Sequence, residues 1–404
     1  MKQRILWGML CVLFAGSYCA AGEWPQFRGP DRTGISDESG LMKAWPAEGP
    51  KLLWSWQGLG KGFASMSAAG GMIYTTGVEE KTGYVYAFDL AGKPVWKKSY
   101  GPGWTGSYPG SRTIPTIDGG RLYIMSGQGR IACYNAGTGD DIWSVDTAEK
   151  FGGVNLRWGI AESVLIDGKK VICTPGGPDA TVVALDKMTG STIWTSKGLS
   201  EKSGYCSPIL VEEGGNRLLI TMVEKSIVCL EIETGKPVWR IPHEAKYDIQ
   251  AVSPVYKDGM LYVTNSYNKG GYMFRLTDSG TKYEEKWHDP VLECHHGGVI
   301  NIGNSIYGSN SREWVCLDLP TGKVKYTETL VGKGSAIYVG GLFYLYGENG
   351  KMSLVKATPT GFETISSFEI TLGDDKHWAH PVVSNGVLYV RHGDTIMAFD
   401  IREK

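Results

Sequence analysis

The sequence predicts an all-β fold, an eight-bladed β-propeller of four-stranded antiparallel blades, and three observations predict it. A strand–turn–strand unit recurs, most clearly as VYAFDLAGKPVW (85 to 96), IACYNAGTGDDIW (131 to 143), VVALDKMTGSTIW (182 to 194) and IVCLEIETGKPVW (227 to 239). A further strand pair precedes each unit; its later strand places Tyr74, Tyr123, Ile172, Leu219, Tyr262, Tyr307, Tyr344 and Tyr389 at spacings of 37 to 49 residues. The last copy, TIMAFDIREK, stops before its turn and final strand, while an unmatched strand, PKLLWSW (50 to 56), stands ahead of the first complete copy. A ring closed by pairing the two ends, with the N-terminal strand completing the last blade, accounts for both and leaves no open sheet edge.

Taken from the N-terminus, residues 1–21 read as an export signal. Lys2 and Arg4 precede the apolar stretch from Ile5 to Phe14, which gives way to the small residues Ala15, Gly16, Ala20 and Ala21. That stretch is shorter than the roughly 20 residues a spanning helix needs, and no later segment is long or apolar enough. The expectation is a periplasmic or otherwise exported chain, soluble after signal cleavage. Cys19 is the one position to weigh as a lipid anchor, but the bulky Tyr18 precedes it where a lipoprotein signal wants a small residue. Residues 22–49 follow as an N-terminal extended segment, and 50–404 as the propeller. A net charge of −1 without long basic runs gives no electrostatic footprint for nucleic acid or an anionic membrane. A monomer is expected.

Within the propeller, weaker copies follow at MFRLTDSGTKYEEKW (273 to 287), VCLDLPTGKVKY (315 to 326) and SLVKATPTGFETISSF (353 to 368). Strand pairs such as SPVYKDGMLYVT and HPVVSNGVLYVR carry Asp-Gly or Asn-Gly at the turn, which suits the positive φ of tight hairpins. A small residue, at Ala87, Cys133, Ala184, Cys229, Cys316 and Ala398, recurs two positions before or near the acidic residue and fits a crowded place between stacked sheets. The Trp ending each unit is expected to dock on the neighbouring blade, with its indole N–H in need of a partner.

The pattern A/C-x-D/E-x-x-T-G-x-x-x-W resembles the pyrroloquinoline-quinone-like propeller repeat, shared by quinoprotein alcohol dehydrogenases and by BamB, the lipoprotein of the outer-membrane barrel-assembly machine. The opening WPQFRGPDRTGIS (24 to 36), with WGIAES, VICTPGGPDATVVALD, HHGG and GKGS, is similar to an exported bacterial group of quinone-like propellers. The resemblance covers essentially the whole mature chain and implies the fold. It leaves pyrroloquinoline quinone as a possible cofactor, yet the quinoprotein signature is absent. Those dehydrogenases stack the quinone on a ring of two adjacent disulfide-bonded cysteines, and this chain has no Cys-Cys dipeptide. Their calcium-binding acidic residues and catalytic Asp find no match either. Of the six cysteines after the signal, Cys133, Cys229 and Cys316 share one slot in separate blades and read as buried small residues; Cys173, Cys206 and Cys294 allow no pairing from spacing.

Chemistry on a propeller concentrates on loops that enter the innermost strands, where a rigid scaffold presents exposed residues. Four of the seven histidines, His295, His296, His377 and His380, fall at such positions, with Arg112, Arg157, Glu162, Lys333, Tyr108, Trp158, Tyr205 and Trp378. If the strand is regular at ECHHGGVI (293 to 300), only one of the adjacent imidazoles faces the channel. No H-x-H or HExxH spacing occurs, so no metal site is assigned. The arginines and Lys333 suit an anionic ligand through charge-assisted hydrogen bonds, or else structural pairs with Glu162 or Asp248. Three functions remain open: a propeller that binds a small polar or anionic ligand (cofactor or carbohydrate) or a protein partner; a quinone-dependent dehydrogenase or carbohydrate-active enzyme; and a BamB-like assembly scaffold.

Overall fold

A computed structural model describes residues 22–403, so the export signal and Cys19 lie outside the described residues. Eight antiparallel sheets follow one another around a ring. The first seven occupy 66–102, 116–146, 165–195, 209–242, 255–289, 299–328 and 334–369, each running in sequence from the innermost to the outermost strand. Blade eight takes three strands from 382–400, and its outermost strand is Lys51–Gln57, paired antiparallel with Thr395–Asp400. The register sets Trp54 opposite Ala398 and Trp56 opposite Ile396. The predicted ring closure is therefore present.

The repeat residues hold blade to blade. The indole N–H of Trp54 donates to Leu90 O, Trp96 to Ala136 O, Trp143 to Lys187 O, Trp194 to Ile232 O, Trp239 to Gly280 O and Trp287 to Leu319 O, each acceptor lying in the next blade. The Gly of the following blade's turn lies flat under the same ring: a Cβ on Gly235 would stand 2.3 Å from Trp194, and one on Gly322 2.5 Å from Trp287. The Gly that stands four residues ahead of the Trp in the clearest units thus serves the Trp of the preceding blade. Gly235 also sits at φ 71°, so Gly235→Ala combines a clash with backbone strain. We expect it to destabilise the protein by about 2–3 kcal/mol, read as a lower denaturant midpoint.

The small slot residues Ala87, Cys133, Ala184, Cys229, Cys316 and Ala398 are all fully buried between sheets. All six described cysteines are free and buried. The hairpin turns follow their chemistry. Asp258-Gly259 and Asn385-Gly386 both have positive φ at each residue, whereas in TIDGG the turn moves on by one and Gly119-Gly120 takes the two positions.

Residues 22–49 do more than extend along the surface. Trp24 exchanges two backbone hydrogen bonds with Ala68 of blade one, Ile117 N of blade two donates to Pro25 O, and Ile35–Ser36 adds a parallel strand to blade seven at Tyr338 and Val339. Between these anchors Arg28 donates to Val299 O of blade six, and Arg32 to Ser163 O and Val164 O near blade three. The segment thus ties together innermost strands from opposite sides of the ring, and it carries Phe27 into the central cavity.

Candidate functional site at the channel mouth

A cavity of about 660 Å³ opens where the loops enter the innermost strands. Tyr108, Arg112, Arg157, Trp158, Tyr205, His295, His296, Lys333, Trp378 and His380 all line it. Its size falls within the range of small-molecule sites. A second groove of about 560 Å³, on the outer seam of blades seven and eight, has no imidazole or guanidinium in its lining.

Two predicted site residues stand elsewhere. Glu162 is buried behind the wall, where its Oε2 accepts from Thr174 N at 3.0 Å. Burial pushes its carboxyl up to about 8, with Thr174 and the Arg32 charge pulling the other way. His377 packs between Tyr346, whose Oη is 2.6 Å from its Nδ1, and the ring of His392, stacked at 3.6 Å. Their neighbours Ala161, Trp378 and His380 line the cavity, so it is the direction of these two side chains that takes them out of it.

The histidine pair departs from the strand expectation. Residues 295–297 form bends, the strand begins only at Val299, and Gly298 takes φ 80°. Freed from strand alternation, both imidazoles face the cavity, their centroids 4.9 Å apart.

Aromatic rings circle the wall. Phe63 contacts Trp378 at 4.8 Å, Trp378 contacts His296 at 5.3 Å, His295 contacts Tyr267 at 5.4 Å, Tyr267 contacts Tyr247 at 5.4 Å, and Tyr247 leads through Trp158 to Tyr205. Arg112 lies over Phe63 and Arg157 over Trp158 in the cation–π manner. The backbone supporting this wall is strained. Of the long or aromatic side chains with φ in the left-handed region, Tyr108, Tyr247 and Tyr267 line the cavity, Arg28 and Arg32 lie in the segment that closes it, and only Glu80 lies apart. Such conformations cost about 1–3 kcal/mol each and collect at functional sites.

The electrostatics are uneven. Lys333 Nζ is 2.9 Å from His295 Nδ1 and 2.8 Å from Glu348 Oε1. His296 Nε2 lies 3.0 Å from the same oxygen, though not aligned as a hydrogen bond. Burial opposes the charge on Glu348, but His296 and Lys333 outweigh it and hold the carboxyl at about 2. The imidazoles are neutral: burial, helped by neighbouring charges, lowers His295 and His380 to about 3 and also lowers His296. Neither Arg112 nor Arg157 pairs with Glu162 or Asp248; the ion pair at the mouth is that of Lys333 with Glu348. Arg112 donates to the carbonyls of Gly110 and Tyr108, and burial lowers it only to about 10, so it stays charged. Arg28 and Arg32, fully enclosed, likewise donate to backbone carbonyls. The cations therefore outnumber the anions at the mouth.

The lining holds no Asp or Glu, and among the described residues no group of three His, Cys, Asp or Glu is placed to hold a metal ion. This donor set does not fit the calcium-held quinone of the alcohol dehydrogenases, and no oxidative step is derived through it.

The closing segment was the part missed by sequence reasoning. Phe27, Arg28 and Arg32 belong to WPQFRGPDRTGIS, a stretch with no strand alternation that nevertheless spends two arginines and an aromatic residue among glycines and prolines. Glu348 lay in the blade-seven turn GENGK and carried no signal of its own.

Fold and mouth together define an eight-bladed propeller of the pyrroloquinoline-quinone-like kind. A family profile described as "Outer membrane protein assembly factor BamB" matches residues 81–328, and the chain belongs to that family. BamB of Bordetella pertussis is 28% identical over 185 residues, covering 44% of this chain and 44% of that protein. Quinoprotein alcohol dehydrogenase PedH of Pseudomonas putida is 29% identical over 177 residues, covering 41% of this chain and 28% of that protein. The chain thus spans about half or less of the length of these curated relatives. The crystal structure of BamB from Moraxella catarrhalis superposes with a TM-score of 0.64 at 16% identity, over 87% of this chain and 99% of that one, a likeness of fold. Among the described residues no helix is long and apolar enough to cross a membrane.

Proposed function

We propose that this protein is an exported propeller that binds a small anionic ligand at the loop-lined mouth of its channel. The observation that carries this reading is the surplus of cations in an aromatic-walled cavity: Arg112 and Arg157 line it without a carboxylate partner, while its imidazoles are neutral and its one nearby carboxylate is already engaged. Arg112 is half-buried and Arg157 is exposed at the rim, and an anion entering the cavity would be held by these cations through charge-assisted hydrogen bonds. Low-dielectric walls focus the field of such a cleft on an incoming anion.

Calorimetric titration of the purified protein with a panel of small carboxylates, pyrroloquinoline quinone among them, tests the reading. Binding should weaken steeply with salt, and Arg112→Gln should reduce affinity about tenfold or more without changing the melting temperature by much. Equal affinity in wild type and variant, or salt-independent binding, would sink it. Docking of a protein partner onto the half-exposed Tyr108 and Tyr247 is the competing outcome, and it would show as a partner displaced by neither carboxylate nor salt.

A further inference from the structure

We infer that the anion taken by this mouth is a monocarboxylate with a bulky apolar body, such as an arene carboxylate, and not a hydroxylated or multiply charged acid. The inference rests on the reading of the mouth as an anion site and narrows it by the groups that the lining presents.

Every blade sends a residue into the lining ahead of its innermost strand, and their chemistry divides the ring. Blades one to five supply Ser65, Ile114, Ala161, Ser207 and Ala251. None of these carries a charge, and both serines are already engaged: Ser65 Oγ donates to His380 O, and Ser207 Oγ accepts from Ser163 N at 2.9 Å. Phe27, Phe63, Trp158, Ile249 and Trp378 extend the same apolar surface. Among the described residues of the lining there is no Asp, Glu, Asn or Gln. Those are the side chains whose carboxylates and amides offer acceptors to hydroxyl groups. A polyhydroxylated acid would turn most of its hydroxyls towards hydrocarbon, each a buried polar group without a partner. An apolar body meets the same surface with a gain proportional to the area it removes from water.

The available charge is equally limited. Lys333, from blade seven, is held by Glu348 Oε1 at 2.8 Å and lies 2.9 Å from His295 Nδ1. Arg157 is exposed at the rim. Arg112 is half-buried, and its guanidinium donates to main-chain carbonyls of its own loop, at Ser107, Tyr108 and Gly110, leaving its charge without a carboxylate. It lies over the ring of Phe63, which in turn touches Trp378. One carboxylate on Arg112 therefore sets the rest of the ligand against aromatic rings, and further carboxylates would find only the exposed Arg157. At about 660 Å³ the cavity is far larger than a carboxylate, so the apolar body supplies most of the contact.

Calorimetric titration of the purified protein with biphenyl carboxylate, its uncharged amide, gluconate and benzenetricarboxylate tests this. Biphenyl carboxylate should bind at least about tenfold tighter than each of the other three, with a negative heat-capacity change that marks burial of apolar surface. Ala251→Gln, which sets an amide in the apolar arc and changes no charge, should narrow its lead over gluconate. Gluconate or benzenetricarboxylate binding as tightly as biphenyl carboxylate, or a lead unchanged in the variant, overturns the inference and leaves the anion reading standing. The amide binding as tightly as its acid, or no anion binding, overturns both.

Discussion

Replacing Arg391 by methionine is expected to lower the stability of the fold by about 3–5 kcal/mol, the largest effect of any single substitution outside the core. Arg391 is 1% exposed, on the second strand of blade eight. Its guanidinium donates to Gly393 O at 2.8 Å, Ala64 O at 3.2 Å and Thr75 Oγ1 at 3.3 Å, and also to Thr76 O. The last three acceptors belong to blade one or the approach to it, so this one side chain crosses the seam where the ring closes. Methionine fills much of the volume but leaves Gly393 O and Ala64 O without that donor, each such orphan costing about 1–3 kcal/mol, while Thr76 O keeps the Ser111 hydroxyl. Lysine is no substitute, because a point ammonium cannot reproduce a planar fork. Removal of the exposed pair between Lys282 and Asp278 provides the contrast, with little or no shift of the denaturation midpoint. Equilibrium denaturation of the three proteins decides the matter: a shift for Arg391→Met no larger than that of the surface pair would show that the seam is held by strand pairing alone.

The ring was legible in the sequence because its determinants are local and repeated. Each Trp, each T-G turn and each small slot residue performs the same contact in successive blades, so periodicity alone reveals it. Closure by Lys51–Gln57 was legible for a related reason, since a missing strand at one end and a surplus strand at the other can be counted. The mouth was legible only in part. Ten candidates converge because loops entering innermost strands must share one face of the ring. Glu162 and His377 do not, because position along a loop fixes the face but not the direction of the side chain. The orientation of His295 and His296 depended on bends just ahead of the strand, and strand alternation misjudged it. Arg28 and Arg32 were hidden for a different reason: their contacts with Val299, Ser163 and Val164 span more than a hundred residues and follow no period.

That segment also explains how a propeller channel becomes a site. An open channel lined by carbonyls of eight blades would admit water along its axis. Here Arg28 and Arg32 take up carbonyls of blades six and three, and Phe27 packs edge-on against His380 at 5.4 Å. The cavity is thereby given a wall of its own and two cations behind it. Arg28→Met is expected to weaken anion binding and stability together, whereas Arg112→Gln acts on binding alone; measuring both properties for both variants separates the closing segment from the lining.

Acidification from pH 7 to pH 5 is expected to destabilise the protein by several kcal/mol, on the order of 1 kcal/mol per buried histidine per pH unit. Burial lowers His243, His295 and His380 to about 3, and lowers His296 and His377 as well, the latter to about 4. Their folded values lie below the unfolded value of roughly 6.5, so the unfolded chain takes up protons that the folded one refuses. The stability they contribute is complete above pH 6.5 and is lost as pH falls towards about 3. Glu162 acts in the opposite sense. Its folded value of about 8 lies above the unfolded one, so its contribution is complete at low pH and is lost as pH rises through 8. Between the two limbs the melting temperature should peak near neutrality, and Glu162→Gln, which keeps an acceptor for Thr174 N, should flatten the alkaline limb and steepen the acid limb above about pH 4.5, where Glu162 opposes the histidines. An anionic ligand alters the acid limb in a defined way. A carboxylate beside His296 and His380 favours their protonated forms, so ligand affinity should rise as pH falls and the ligated protein should tolerate acid better than the free one. Identical acid limbs with and without a saturating carboxylate would place its binding site away from these imidazoles.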